Sequence, residues 1–311
     1  MSTTKKGVAG TTGVGPTGKT TADYEQMRDK YLRKSMWPTI FCTGCGHGSV
    51  LDYTFWALEE LALDMDRVVF VSGIGCSSRL PGYINADGLH TTHGRAIAFA
   101  TGVKSANPDL TVIVFTGDGD CSGIGGNHFL HGVRRNIDIT VIAVNNFIYG
   151  MTGGQLAPST PRGAITTTSP YGNVENPFNM AEIAMVGGAS YVARWPVSHP
   201  YQPIKSIKDG IKKKGFAFIE MLSPCPTAFG RRNKLGDVQK LWDWYDEQCM
   251  YKEDYDKVMA YGTPEEREKT KDKITIGVLQ DIEKPEFTTE YAKVVERLRS
   301  QKGGGGSAEE Y

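Results

Sequence analysis

Residues 111–150 read TVIVFTGDGDCSGIGGNHFLHGVRRNIDITVIAVNNFIYG. The runs Thr111–Thr116 and Ile139–Val144 are apolar and rich in β-branched residues, which predicts two strands buried on both faces, as in a parallel sheet. Asn127–Asn136 between them supplies the crossover helix of a βαβ unit. Each strand runs straight into polar residues: Gly117-Asp118-Gly119-Asp120 after the first, Asn145-Asn146 after the second. Ligands of open α/β sheets gather at the carboxyl ends of the strands. Asp118 and Asn146 are therefore expected to meet at one edge of the sheet. The fold class that follows is α/β, an open, mostly parallel sheet with helices on both faces.

A carboxylate oxygen and an amide oxygen beside backbone-permissive glycines suit a hard cation. Mg²⁺ fits best, since proteins hold it through one or two groups and leave phosphate oxygens to fill the octahedron. Gly117, Gly119, Gly123, Gly125 and Gly126 would let backbone N–H groups face a pyrophosphate. The bland alternative is a glycine-rich turn in an ordinary βα loop. GDG followed after about thirty residues by NN resembles the thiamine-diphosphate-binding motif. That resemblance implies the pyrophosphate module of the thiamine-diphosphate-binding fold. It places Asp118 and Asn146 on Mg²⁺, a backbone carbonyl near Ile148 completing the site, and Gly117, Gly119 and Asp120 along the pyrophosphate.

The chain has 311 residues, enough for one large α/β domain with extensions. Hydrophobic residues make up 40% and charged residues 23%, an ordinary globular balance. Lys plus Arg equals Asp plus Glu at 35 each, so nothing suggests a nucleic-acid partner. No apolar run approaches membrane-spanning length, and the polar start has no signal-peptide core, so a cytoplasmic location is expected. There the six cysteines read as metal ligands, catalytic groups or buried thiols rather than disulfides. The expected divisions are a disordered or extended arm over 1–25, a cofactor-binding α/β domain over 26–235, and an extension over 236–311 that packs on the domain or a partner. That extension is expected to end in a flexible tail from about 301.

In chain order, Gly13–Thr20 matches the Walker A pattern, but Met1–Thr12 cannot supply the buried strand which that loop requires. Asp23–Ser35 predicts a charged helix on the surface or against a partner. Cys42 and Cys45 form a C-x-x-C turn, open to three readings: half a zinc site, a thioredoxin-like redox pair or half an iron–sulfur site. The lack of a preceding strand disfavours the redox pair. His47 could join these cysteines as a ligand; the stronger expectation is that it caps the next helix, Ser49–Leu63, or lines the cofactor site. Arg67–Ser72 predicts a strand whose end carries Gly75, Cys76 and Ser77, which places these residues with Asp118 and Asn146. His90, His93 and Arg95 form a polar cluster before the helix Ala96–Ala106, with His93 expected at the diphosphate or substrate. After Asn146, the aperiodic stretch Phe147–Asn179 is long enough to be functional; Gly150, Met151 and Thr152 are expected in the cofactor wall or a lid. A helix over Ala181–Val186, a strand over Ala189–Arg194, a helix over Pro203–Lys214 and a strand over Phe216–Leu222 continue the sheet. The last of these strands ends near Cys225. Arg231–Asp254, with Trp242, Trp244 and Tyr245, reads as a helix facing a partner or covering the sheet, with Cys249 inert on it. Lys273–Gln280 predicts a late strand and Thr289–Arg299 a final helix.

Cys42, Cys45, Cys76 and Cys225 all fall in loops, and four thiolates suit tetrahedral zinc or a four-iron, four-sulfur cluster equally. Context favours the cluster, which would accept electrons beside a thiamine cofactor where a structural zinc has no evident work. Taken together, CTGCGHG at 42–48, GIGCSSR at 73–79, HTTHGRA at 90–96, GDGD at 117–120, NN at 145–146 and SPCPT at 223–227 resemble the β subunit of a 2-oxoacid:ferredoxin oxidoreductase, most closely the 2-oxoglutarate type. The resemblance spans about residues 30–230. It implies that the four cysteines bind a 4Fe-4S cluster, and that thiamine diphosphate supports oxidative decarboxylation of a 2-oxoacid to an acyl-coenzyme A, or the reverse. Electrons would pass through the cluster to ferredoxin. Arg79, three residues after Cys76, would face the substrate, where a guanidinium can bind a carboxylate bidentately. The second module of a thiamine enzyme has no room here, so the active site is expected to be shared with a separate α subunit, the αβ unit being doubled. The rival readings are a thiamine enzyme without electron transfer, a zinc-stabilised scaffold and a Walker A nucleotidase.

Overall fold

The computed structural model describes residues 21–303. The Walker-like run and most of the expected N-terminal arm lie outside the described residues, as does the end of the tail. Among the described residues eight strands form one sheet, in chain order β1 (Val68–Ser72), β2 (Asp87–His90), β3 (Thr111–Gly117), β4 (Thr140–Asn145), β5 (Tyr191–Pro196), β6 (Ala217–Leu222), β7 (Cys249–Tyr251) and β8 (Ile274–Asp281). Their spatial order is β2-β1-β3-β4-β6-β5-β8-β7. From β2 to β5 every pairing is parallel; β8 joins β5 antiparallel, and β7 runs with β8.

The helices are α1 (Thr21–Tyr31), α2 (His47–Leu61), α3 (Ala96–Ala106), α4 (Gly126–Arg135), α5 (Met180–Gly187), α6 (Tyr201–Lys212), α7 (Val238–Gln248), α8 (Lys252–Tyr261), α9 (Pro264–Thr270) and α10 (Phe287–Gly303). Alternation along β3 shows how they divide. Ile113 and Phe115 point into a core shared with Met27 and Tyr31 of α1, Val50 and Phe55 of α2 and Ile204 and Ile207 of α6. Val112 and Val114 point the other way, onto Ala96 and Ala100 of α3, Phe129 and Val133 of α4 and Ala181 and Ala184 of α5. A strand with helices on both faces must be apolar on both, which is why β3 and β4 are legible as unbroken apolar runs. Phe115 is fully buried and stacks on Phe70 with centroids 5.9 Å apart; its truncation to Ala is worth about 3–5 kcal/mol.

Several expectations are corrected here. Residues 21–25 belong to α1 and are helical, not extended. That helix is also no surface decoration, because Met27 and Tyr31 are 2% and 1% exposed. β2 was not expected: its sequence, DGLH, is too polar to read as a strand, and it stands at the sheet edge. The stretch after α7 holds β7, α8 and α9, so Cys249 opens a short strand rather than lying on a helix. α10 runs on to Gly303, beyond the expected start of the tail. Among the described residues no helix is long and apolar enough to cross a membrane.

The chain goes from β1 outward to β2 and then returns past β1 to β3. That reversal opens a crevice between the carboxyl ends of β1 and β3, where α/β sheets bind ligands.

Candidate cofactor site

Asp118 follows β3 directly and is 3% exposed; Asn146 follows β4 and is 6% exposed. Both line a cavity of about 60 Å³ at the strand ends, together with Ile74, Gly75, Cys76, Ser77, His93, Gly117, Gly119, Asp120, Ile148, Tyr149, Gly150, Met151 and Thr152. The structure thus brings together on one wall nearly all the residues expected at the cofactor. Burial pushes the Asp118 carboxyl up to about 7, against the Ser159 hydroxyl and the Gly119 N–H, which favour its ionised form. The Asn146 Oδ1 is buried with no hydrogen-bond partner. A buried carboxylate without a neutralising cation and a buried amide oxygen without a donor are both costly, and a divalent cation would satisfy both. The donor set therefore fits Mg²⁺.

Asp120 lines the cavity, but its carboxylate is already engaged. Its Oδ1 accepts from Gly94 N at 2.7 Å and Ile74 N at 3.2 Å, its Oδ2 from Thr116 Oγ1 at 2.8 Å, and His93 Nδ1 pairs with it. It ties the ends of β1 and β3 to the turn before α3, and it orients His93 rather than meeting a pyrophosphate through its side chain. A Cβ on Gly73 would lie 2.2 Å from Asp120 Oδ2, so only glycine admits this brace. His93 also meets the Tyr149 ring edge-on, at 5.9 Å.

Two expected site residues lie elsewhere. His47 does not line the cavity. It begins α2 and is buried behind Ser77, with Nε2 3.0 Å from Ser77 Oγ and Nδ1 3.7 Å from Cys45 Sγ, its ring stacked on Phe41. Burial lowers its pKa to about 4. Arg79 is exposed on the 3₁₀ turn Ser77–Tyr83 and lines a different cavity, of about 310 Å³, with Arg33, Ser78 and His90. Because Ser78 and Leu80 on either side of it are buried, the side chain between them turns outward. Two residues were missed. Tyr149 stands beside the expected Ile148, and its hydroxyl donates to Gly119 O at 3.0 Å. Ser159, which bonds Asp118, sits in a serine- and threonine-rich loop whose composition singles out no position.

The start of the long segment after β4 is folded back on itself. Tyr149 N donates to Gln155 O at 3.0 Å, Gly154 N to Tyr149 O at 2.8 Å and Thr160 Oγ1 to Phe147 O at 2.6 Å. α7 packs inward as well. Asp237 caps it by accepting from Lys240 N, Trp242 Nε1 donates to Gly44 O at 2.9 Å, and Tyr245 stacks on Phe147 at 5.4 Å.

The cysteines reach the same wall. A Cβ built on Gly150 would lie 3.6 Å from Cys76 Sγ, 3.7 Å from Cys225 Sγ and 3.8 Å from Asn146 Nδ2. Thr227 Oγ1 stands 3.6 Å from Cys42 Sγ and 4.0 Å from Cys225 Sγ. Burial pushes the Cys45 thiol up to about 11, with Cys42 and Cys225 adding to the effect; it pushes Cys76 up to about 12, with Cys225, Cys45 and Cys42 adding. The four sulfurs thus share one neighbourhood, with Cys42 exposed and Cys225 buried. Yet among the described residues no three His, Cys, Asp or Glu side chains converge on the position of a single ion. Cys121 is buried in the core with Phe129 and Val133.

Residues 73–221 match the thiamine pyrophosphate enzyme C-terminal TPP-binding domain. Over 88% of its length the chain is 51% identical to the 2-oxoglutarate synthase subunit KorB of Methanocaldococcus jannaschii, covering 98% of that relative. The chain belongs to the 2-oxoacid:ferredoxin oxidoreductase β-subunit family. KorB of Methanothermobacter marburgensis is 52% identical over 83% of the chain and 88% of its own length. A solved 2-oxoglutarate:ferredoxin oxidoreductase from Magnetococcus marinus, with 2-oxoglutarate, coenzyme A and succinyl-CoA bound, superposes with a TM-score of 0.77 at 34% identity, over 91% of this chain and 92% of that one. A 2-oxoacid:ferredoxin oxidoreductase β subunit with a thiamine-diphosphate-binding domain is what the GDG…NN spacing and the cysteine motifs pointed to.

Proposed function

We propose that this chain is the β subunit of a coenzyme A-dependent 2-oxoglutarate:ferredoxin oxidoreductase, forming succinyl-CoA and CO₂ from 2-oxoglutarate or running the reverse reductive carboxylation. The observation that carries the reading is at Gly150, where Asn146 and two cysteine sulfurs lie within 4 Å of one point. Diphosphate-binding and electron-accepting machinery would thus share a wall. Asp118 and Asn146 would hold Mg²⁺, with the Ile148 backbone, and Gly117 and Gly119 would line the diphosphate. Thiamine diphosphate, when bound, supplies the carbanion chemistry that breaks the bond to the carboxylate. The protein's own part is to orient the diphosphate, to keep Asp118 and Asn146 desolvated and to hold His93 against Asp120.

Cys42, Cys45, Cys76 and Cys225 would bind a 4Fe-4S cluster. The closeness of Cys76 and Cys225 to Asn146 around Gly150, and of Cys42 and Cys225 to Thr227, supports a centre that accepts electrons beside the diphosphate. Electrons would leave to ferredoxin on the side of the exposed Cys42. A cavity of about 60 Å³ holds only the metal–diphosphate end of a cofactor, since whole small-molecule sites run to about 300–1,000 Å³. A separate α subunit would cover the rest, in an αβ unit that is doubled, in the cytoplasm. Arg79, with Arg33 and His90 nearby, would meet the distal carboxylate of 2-oxoglutarate. The test is anaerobic reduction of ferredoxin by the purified complex. It should require 2-oxoglutarate, coenzyme A and thiamine diphosphate together, and reduction that proceeds without thiamine diphosphate would refute the reading.

A further inference from the structure

Behind the cofactor wall, β6 carries a glutamate between two apolar residues of its own strand, Ile219 and Met221. Glu220 is 2% exposed and pairs with Arg194 of β5, itself 3% exposed, with Arg194 Nε 2.8 Å from Glu220 Oε2. A buried ion pair is a poor source of stability compared with apolar residues of similar volume. Its presence in the middle of the sheet calls for another reason, and the second oxygen supplies one. Glu220 Oε1 accepts from Asn145 Nδ2 at 2.7 Å, and Asn145 Oδ1 accepts from Phe147 N at 3.1 Å. Between those two bonded positions sits Asn146, whose Oδ1 is the buried oxygen without a partner.

We propose that Glu220 is a positioning residue for the Mg²⁺–diphosphate site, acting through Asn145. The proposal rests on Asn146 being a cation ligand. An amide side chain can present either end, and what it faces decides which. Paired with Arg194 through Oε2, the Glu220 carboxylate accepts at Oε1 as well. Glu220 therefore fixes the NH₂ of Asn145 toward itself and leaves the oxygen for Phe147 N. That bond closes an Asx turn over a backbone that needs it, because Phe147 has φ +62°, a region that non-glycine residues rarely occupy. Thr160 Oγ1 on Phe147 O and Tyr245 stacked on the Phe147 ring hold the far side of the turn. The turn in turn presents Asn146 to the cavity. Arg194 is itself anchored to Thr275 O at 3.2 Å and to Asn179. The chain of bonds thus runs from β8 through Arg194, Glu220 and Asn145 to the metal-facing amide.

The test is a hydrogen bond reversed in polarity. Asn145→Asp sets two carboxylates against each other, while Asn145→Asp with Glu220→Gln restores the bond. In that double variant the new amide at position 220 donates to the new carboxylate at position 145, which still accepts from Phe147 N. Affinity for thiamine diphosphate in the presence of Mg²⁺, and for Mn²⁺ by its EPR signal, is measured on the assembled enzyme, alongside its melting temperature. Asn145→Asp should weaken binding about 10- to 100-fold, the usual loss when an outer-shell partner of a ligand is removed. The double variant should recover to within about threefold of wild type. Should Asn145→Asp not fold, Glu220→Asp, which withdraws the carboxylate from Asn145 but keeps its charge near Arg194, carries the same expected loss. Wild-type affinity in Asn145→Asp, or a double variant as weak as the single one, overturns the proposal. Wild-type enzyme that binds thiamine diphosphate equally well with and without a divalent cation would instead overturn the reading of Asn146 as a ligand.

Discussion

Gly119→Ala is expected to damage the cofactor wall through one ring. A Cβ at residue 119 would lie 2.2, 2.4 and 2.8 Å from Cε1, Cζ and Cδ1 of Tyr149, where ordinary carbon contacts sit at about 3.5–4.0 Å. The backbone at Gly119 has φ −69°, so alanine meets no conformational penalty and the whole effect is the clash. The ring must retreat by more than about 1 Å. It then loses the bond from its hydroxyl to Gly119 O, worth about 1 kcal/mol, and it overpacks a site where such strain costs about 1–3 kcal/mol. The expected destabilisation is about 2–4 kcal/mol, read as a lower midpoint in urea denaturation of the assembled enzyme. Affinity for thiamine diphosphate should fall with it, because Gly119, Tyr149 and His93 line one cavity. Tyr149→Ala removes the clashing ring, so adding Gly119→Ala to Tyr149→Ala should cost less than about 1 kcal/mol. Equal costs in the two backgrounds would refute the reasoning.

Three further outcomes follow from the same geometry. Asp118→Asn keeps an oxygen for the Ser159 hydroxyl but removes the charge, so the enzyme should fold normally and lose at least about tenfold in Mg²⁺-dependent thiamine diphosphate affinity, measured by calorimetry. Arg79→Leu should raise the KM for 2-oxoglutarate about tenfold or more while leaving that for pyruvate nearly unchanged, since loss of a charged hydrogen bond is worth about 1.5–3 kcal/mol; equal effects on both would remove Arg79 from the substrate site. Glu286 accepts from the backbone N–H groups of Thr288 and Thr289 at the start of α10. Burial would raise its pKa, but those bonds and the two threonine hydroxyls outweigh it and hold the carboxyl low. A carboxyl depressed in the folded state stabilises above its unfolded pKa and loses that contribution as pH falls through the folded value. Glu286→Ala should therefore cost about 1 kcal/mol at pH 7 and progressively less below about pH 4, as followed by urea denaturation across that range.

The sequence was most readable where one physical demand dominated. β3, β4 and β6 are buried on both faces, so their apolar runs announced them, and the polar residues directly after β3 and β4 announced the site. β2 was hidden because an edge strand need not be apolar, and DGLH carries no signal of its own. β7, α8 and α9 were hidden because they are short and mostly exposed. At the site, Cys76, Ser77, Gly150, Met151 and Thr152 line the cavity that chain-local reasoning pointed to, since each directly follows a strand end or continues from one. Whether His47 starts a helix or lines the cofactor site, and which cavity Arg79 faces, depend on which residues of a helix start or a 3₁₀ turn are buried, and local sequence does not show that. Ser159 and the Glu220–Asn145 bond could not be read at all. The first joins loop positions 41 residues apart, and the second lies across two strands that are neighbours in space but not in sequence.

The most direct test of the central claim is metal analysis of the anaerobically purified enzyme, with iron, acid-labile sulfide and zinc counted together and the EPR spectrum taken after reduction. A four-cysteine electron-accepting centre beside the diphosphate predicts about four irons and four sulfides per αβ unit assigned to this chain. It also predicts a reduced-cluster signal that disappears in Cys225→Ala while the protein stays assembled. Stoichiometric zinc without iron, or an iron signal indifferent to Cys225→Ala, would contradict it.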